Sequence, residues 1–196
     1  MKSSALNVPN LLSLIRVLLV PAFVVTLLLM RDIYIWGAVI PAIIYALTAL
    51  TDMLDGKIAR KYNLVTDFGK FIDPLADKFM VIGSMMAIDA LMFVNGEDLC
   101  AYILLALNLL ILLRELAVTS LRLVVAGKSG IVVAASIFGK IKTVSQMVGT
   151  VVILLEPLVW QGRIASYVMM AIMAFSTIFS GMDYMKAYLP HIDTNK

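Results

Sequence analysis

Six long apolar runs follow one another along the chain: Leu11 to Met30, Trp36 to Thr51, Leu75 to Val94, Leu99 to Val125, Ile141 to Trp160 and Ile164 to Tyr184. About 20 residues rising 1.5 Å each cross the hydrocarbon core of a bilayer, so each run predicts a membrane-crossing helix. The second run is short and is expected to continue as helix into the polar stretch behind it. A cleaved leader competes for the first run, but no small-x-small pattern follows it and more spans come after, so retention is expected. The pattern predicts an all-α integral membrane protein, a bundle of six transmembrane helices forming one domain over residues 1–196.

Composition strengthens this picture. The chain is 62% hydrophobic and 15% charged, whereas soluble domains carry about a quarter charged residues. Loops kept in the cytoplasm are enriched in Lys and Arg. Lys2, Lys57, Arg60, Lys61, Lys70, Lys128, Lys140, Lys142, Lys186 and Lys196 fall on one side of the six-span scheme, and Arg31 and Arg163 on the other. Both termini are therefore expected in the cytoplasm, at the inner face of the cell membrane. The net charge of +3 reports anchoring to anionic lipid, and with no basic stripe on a soluble surface nucleic acid is not an expected partner. Cys100, the single cysteine, has no internal disulfide partner and reads as a small buried hydrophobe.

Against this background the stretch TDMLDGKIARKYNLVTDFGKFIDPLADK, Thr51 to Lys78, stands out by its five aspartates. Asp52 and Asp55 are three apart and Asp73 and Asp77 four apart, so on helices each pair shares a face. Four Asp side chains at the bilayer centre cost roughly 10 to 14 kcal/mol, so they must face water or cations, at the cytoplasmic side. Oxygen ligands without His or Cys suit hard divalent ions, and two such ions are a common clamp for displacement at phosphorus. Helix capping accounts for one of the four: Asp73 before Pro74 fits an N-cap with Pro at the first helical position.

Asp52-x-x-Asp55-Gly56-x-x-Ala59-Arg60, eight residues, then Gly69-x-x-x-Asp73-x-x-x-Asp77 resembles the signature of the CDP-alcohol phosphotransferases at every element. The resemblance implies a six-helix membrane enzyme in which Asp52, Asp55, Asp73 and Asp77 hold two divalent cations, Mg²⁺ or Mn²⁺. It further implies that Asp77 takes the proton of the acceptor hydroxyl. Asp52, Gly56, Ala59 and Gly69 would lie against the cytidine nucleotide and Arg60 would meet its phosphates, in keeping with close approach at glycine and with the match of guanidinium to phosphate. Helix packing or a turn is the plainer reading of the two glycines.

The second half adds four cations inside or beside apolar helices, Arg114, Arg122, Lys140 and Lys142. Arg114 and Arg122 lie about 80° apart around a helix. Lys140 and Lys142 diverge on a regular helix but would straddle a helix start if one falls after Gly139, where N–H groups also attract anions. Together the four suit a dianionic phosphate. Pairing with Glu115, Glu156 or Asp183 and anchoring at the lipid surface are the plainer readings.

These cations, with NVPNLLSLIR and KTVSQ, are similar to the family members that use glycerol 3-phosphate. That similarity implies CDP-diacylglycerol as donor, sn-glycerol 3-phosphate as acceptor, phosphatidylglycerol phosphate and CMP as products, and Asn10 as a nucleotide contact. Asn10 also suits a cap of the first helix. The family further implies a homodimer. A sideways opening between helices is expected, because two acyl chains must remain in lipid. The single histidine, His191, sits in the tail, so no histidine-based covalent mechanism is expected. The alternatives are transfer to phosphatidylglycerol, inositol or serine, and, from another class, a cation transporter or a purely structural membrane protein.

Overall fold

The computed structural model describes residues 8–62, 66–129, 137–160 and 162–191. These are helical almost throughout: α1 (Val8–Leu29), α2 (Trp36–Lys61), α3 (Asp67–Val94), α4 (Asp98–Ser129), α5 (Ile137–Val159) and α6 (Ile164–Tyr188), with a 3₁₀ turn over Leu189–His191. Four segments, Asn10–Leu29, Asp98–Val125, Ile137–Val159 and Ile164–Tyr188, are long and apolar enough to cross a membrane. The apolar part of α2 is the shorter Trp36–Thr51, and the helix continues into the acidic stretch as expected. α3 carries Asp73, Asp77, Lys78 and Asp89 along its length, so composition alone does not mark it as a span.

The start of α3 differs from the capping reading of Asp73. Thr66 is the N-cap, with extended φ −117° and ψ 159°, and its hydroxyl accepts from the Gly69 N–H at 3.0 Å. Pro74 therefore sits inside the helix rather than at its first position. It removes one N–H from the ladder, and Asp73 is released from any capping duty. α5 likewise begins at Ile137, two residues before Gly139, so Gly139 is not the boundary expected from the sequence.

Side-chain contacts fix how the helices run. Gly37 lies against Met30, and further along Phe23 meets Tyr45, ring to ring, so α1 is antiparallel to α2. Ser13 reaches Asp73 and Val20 faces Gly83, so α1 runs parallel to α3. Phe93 packs on Tyr102 and Lys78 bonds Thr119, making α3 and α4 antiparallel. Gly139 lies against Tyr184 and Gly149 against Met173, making α5 and α6 antiparallel, and Ser145 meets Ser176 and Gln146 meets Thr177 across that seam. Hydroxyl and amide contacts of this kind between membrane helices contribute about 0.6 kcal/mol each. The core gathers Phe23, Leu27, Tyr45, Met80, Met85, Leu104, Ile111, Ile153 and Met173. Leu18, Leu29 and Val159 are 72%, 77% and 86% exposed, an apolar exterior that suits lipid rather than water.

The end of the bundle holding the α3–α4 and α5–α6 connections is tied by polar contacts. Glu156 of α5 accepts from the N–H groups of Ala165 at 2.7 Å and Ser166 at 2.6 Å and from the Ser166 hydroxyl. It thereby satisfies the first turn of α6, whose N-cap residue Arg163 supplies no side-chain bond and holds a left-handed φ of 52°. Arg163 instead donates to the Ile153 carbonyl at 2.7 Å and pairs with Glu97 at 2.6 Å.

Candidate active site

At the opposite end, α1 and the start of α3 set the acidic face. The Ser13 hydroxyl donates to Asp73 Oδ1, orienting a half-buried carboxylate one turn before Asp77. Asn10 lies inside α1, which begins at Val8, so it does not cap that helix. Buried, it donates from Nδ2 to Thr66 Oγ1 at 2.9 Å. A Cβ on Gly69 would stand 2.7 Å from Asn10 Oδ1, so glycine at 69 lets α1 close on the beginning of α3. Asp52, Asp55, Gly56, Ala59 and Arg60 belong to α2, and their side chains lie outside the described residues.

Asp77 opens onto a cavity of about 570 Å³ bounded by α3, α4, α5 and α6, a size typical of small-molecule sites. Arg114, Arg122, Lys140 and Lys142, the four cations singled out in the sequence, all line it. Lys142 is buried and Lys140 exposed, as expected for positions two apart on a helix, yet both border the same space. Arg114 donates from Nη1 to Glu115 at 2.8 Å and from Nη2 to Ser180, and Lys142 bonds the same Glu115 oxygen. Among the described residues Glu115, and not Glu156 or Asp183, is thus the carboxylate partner of these cations, and it serves two of them. A void of about 10 Å³ between Asp77, Lys78, Glu115, Lys142 and Gln146 is the size of one water.

Sequence reading passed over three participants. Lys78 lines the cavity and donates to Thr119 at 2.7 Å; its place directly after Asp77 was the available signal. Tyr184 lies beneath Arg114 and Arg122, 5.2 Å and 6.0 Å from its ring centre to the guanidinium carbons, and Ser180 holds Arg114. Nothing local in the sequence marks these two α6 residues. A cavity of comparable size, about 550 Å³, at the far end is lined by Arg163, already matched with Glu97, and by Asp98, so it offers no surplus positive charge to a phosphate.

Among the described residues no three carboxylate, histidine or cysteine side chains gather closely enough to hold a metal ion; two of the four proposed ligands, Asp52 and Asp55, fall outside that description. The donors that are described fit a hard cation. Asp73 and Asp77 offer carboxylate oxygens one helical turn apart, and among the described residues neither histidine nor thiolate accompanies them.

Fold and site together define a membrane-type helical protein with a cation-lined cavity beside a carboxylate pair. The sequence model of the CDP-alcohol phosphatidyltransferase family matches residues 6–179, and the chain belongs to that family. It is 38% identical over 192 residues to the CDP-diacylglycerol–glycerol-3-phosphate 3-phosphatidyltransferase of Bacillus subtilis, covering 91% of this chain and 93% of the relative. The protein of the same name from Salmonella paratyphi A is 35% identical, with 92% and 94% covered. A probable phosphatidylglycerophosphate synthase of Mycobacterium tuberculosis is 35% identical, with 95% and 83% covered.

Proposed function

We propose that this chain transfers the phosphatidyl group of CDP-diacylglycerol to sn-glycerol 3-phosphate, releasing phosphatidylglycerol phosphate and CMP. The observation that carries the reading is the charge of the cavity beside Asp77. Among the described residues, five cations, Lys78, Arg114, Arg122, Lys140 and Lys142, face two carboxylates, Asp77 and Glu115. Five against two leaves three positive charges in surplus, which suits an acceptor carrying its own phosphate dianion. Serine and inositol carry no such group, and phosphatidylglycerol has only a monoanionic diester. The names of the relatives support the same donor and acceptor.

In this reading Arg114 and Lys142, preset by Glu115, grip the acceptor phosphate together with Lys78, Arg122 and Lys140. That grip aims the glycerol hydroxyl at Asp77, which removes its proton. The freed oxygen attacks the phosphorus bearing the diacylglycerol, the bond from that phosphorus to the bridging oxygen breaks, and CMP leaves with the electron pair. Asn10, Asp52, Gly56, Ala59, Arg60 and Gly69 are assigned to the nucleotide end of the donor. Asp52, Asp55, Asp73 and Asp77 are the residues that would hold two divalent cations, Mg²⁺ or Mn²⁺, whose contribution when bound is to neutralise the pyrophosphate.

Six crossings, both termini and the aspartates at the cytoplasmic face of the cell membrane, and a homodimer complete the proposal. The lysine and arginine distribution supports the orientation.

The test supplies purified protein with CDP-diacylglycerol and each candidate alcohol and measures CMP release in Mg²⁺, Mn²⁺ or EDTA. Release is expected with glycerol 3-phosphate and metal, and is abolished by EDTA. Release driven by inositol or serine instead overturns the acceptor assignment.

A further inference from the structure

We propose that Tyr184 is a positioning residue for the acceptor, a single aromatic ring that holds the guanidinium groups of Arg114 and Arg122 at the separation the phosphate requires. This rests on the acceptor-phosphate reading of the cavity and adds α6 to the binding machinery. Arg114 and Arg122 leave α4 eight residues apart, about 12 Å along the axis, yet the two must converge on one phosphate. Long cationic side chains carry about 2 kcal/mol of rotamer entropy each, so convergence needs an agent. The ring of Tyr184 is within cation–π reach of both, at 5.2 Å and 6.0 Å.

The two arginines depend on that ring unequally. Arg114 is also fixed by Glu115 and Ser180. Arg122 is exposed, and among the described residues the Tyr184 ring is the contact that restrains it. The ring itself is rigid: Tyr184 is 5% exposed, it stacks on the fully buried Tyr188 at 6.2 Å with planes 11° apart, and a Cβ on Gly139 would lie 3.3 Å from its hydroxyl oxygen. One side chain of α6 therefore meets α4 and α5 at the wall of the cavity. A leucine at 184 would fill much of the volume but present no π face.

The experiment compares the full-length protein with Tyr184→Phe and Tyr184→Leu in two assays: KM for each substrate, and calorimetric affinity for inorganic phosphate. Tyr184→Leu is expected to raise KM for glycerol 3-phosphate about fivefold to thirtyfold, in line with two cation–π contacts, and to weaken phosphate binding by a similar factor. KM for CDP-diacylglycerol should stay within about twofold, and Tyr184→Phe should restore both values. A stepwise fluorinated phenylalanine series at 184 drains the π face while keeping shape, so each added fluorine should weaken phosphate binding further, even where Tyr184→Leu fails to fold.

A flat fluorine series overturns the proposal. So does a Tyr184→Leu protein whose two KM values rise together, or a wild-type protein with no affinity for phosphate. Should the wild type bind phosphate but turn over a different alcohol, the acceptor assignment fails while the fluorine series still decides the role of Tyr184.

Discussion

Replacing Gly69 by alanine tests how α1 is seated on the acidic face. The new Cβ would stand 2.7 Å from Asn10 Oδ1 and 3.3 Å from Thr66 Oγ1, whereas ordinary carbon–oxygen contacts begin near 3.3 Å. Asn10 must retreat by about 0.6 Å and weaken its bond to Thr66, itself the N-cap of α3. Losing a buried side-chain bond costs about 0.5–1.5 kcal/mol, and more if the amide is left unsatisfied. Alanine returns up to about 1 kcal/mol of helix propensity.

With the buried Asn10 amide left unsatisfied at about 1–3 kcal/mol, the expected net is a loss of about 1 kcal/mol, or about 3 °C in unfolding midpoint for a chain of this size. In an Asn10→Ala background the obstruction is gone and only the propensity gain remains. There, Gly69→Ala should stabilise by about 0.5–1 kcal/mol, so the effect changes sign. Thermal unfolding of the four proteins in detergent, followed by circular dichroism, closes the double-mutant cycle. Equal destabilisation by Gly69→Ala in both backgrounds would refute the packing argument. CMP release by the double variant then separates packing from nucleotide contact, since a stable but inactive protein assigns Gly69 and Asn10 a role beyond joining helices.

Three other outcomes are expected. Asp77→Asn should fold with the wild-type midpoint and lose CMP release by about 10²–10⁴, the usual reach of a positioned base; turnover within tenfold of wild type would remove Asp77 from the chemistry. Lys78→Met keeps the aliphatic stem and deletes the charge, so KM for glycerol 3-phosphate should rise about tenfold while KM for CDP-diacylglycerol holds, and an unchanged acceptor KM would exclude Lys78 from the phosphate site. Glu156→Gln weakens the charge-assisted bonds to Ala165 and Ser166 and should cost about 1–2 kcal/mol in thermal unfolding, with acceptor KM untouched because the residue lies at the end away from the cavity.

Hydropathy made the apolar stretch of each helix legible, because a lipid-facing side must be apolar, but it did not reach the polar first turns of α3. The continuation of α2 past Thr51 was also readable. The start of α3 was misplaced because Asp73-Pro74 imitates a helix entry so well, whereas the true cap, Thr66, is a weaker local signal. Asn10 was given a capping alternative for the same reason, and the structure spends it instead on a contact 56 residues away.

The four cations were found because charge inside apolar sequence is conspicuous. Their organisers were not. Tyr184 and Ser180 look like ordinary members of an apolar helix, and only the parallel course of α4 and α6 brings them under Arg114. Glu115 was weighed merely as a neutralising partner; its carboxylate joining α4 to α5 could not be read from spacing.

The two ends of the bundle differ in how their charges are settled. Arg163 and Glu156 close on protein groups at their own end, Glu97, the Ile153 carbonyl and the first turn of α6. The end with Asp77 is tied as well, by Lys78 to Thr119 and Lys142 to Glu115, but among the described residues the cations lining its cavity outnumber the carboxylates, so the folded chain bears the repulsion of that excess until an anion relieves it.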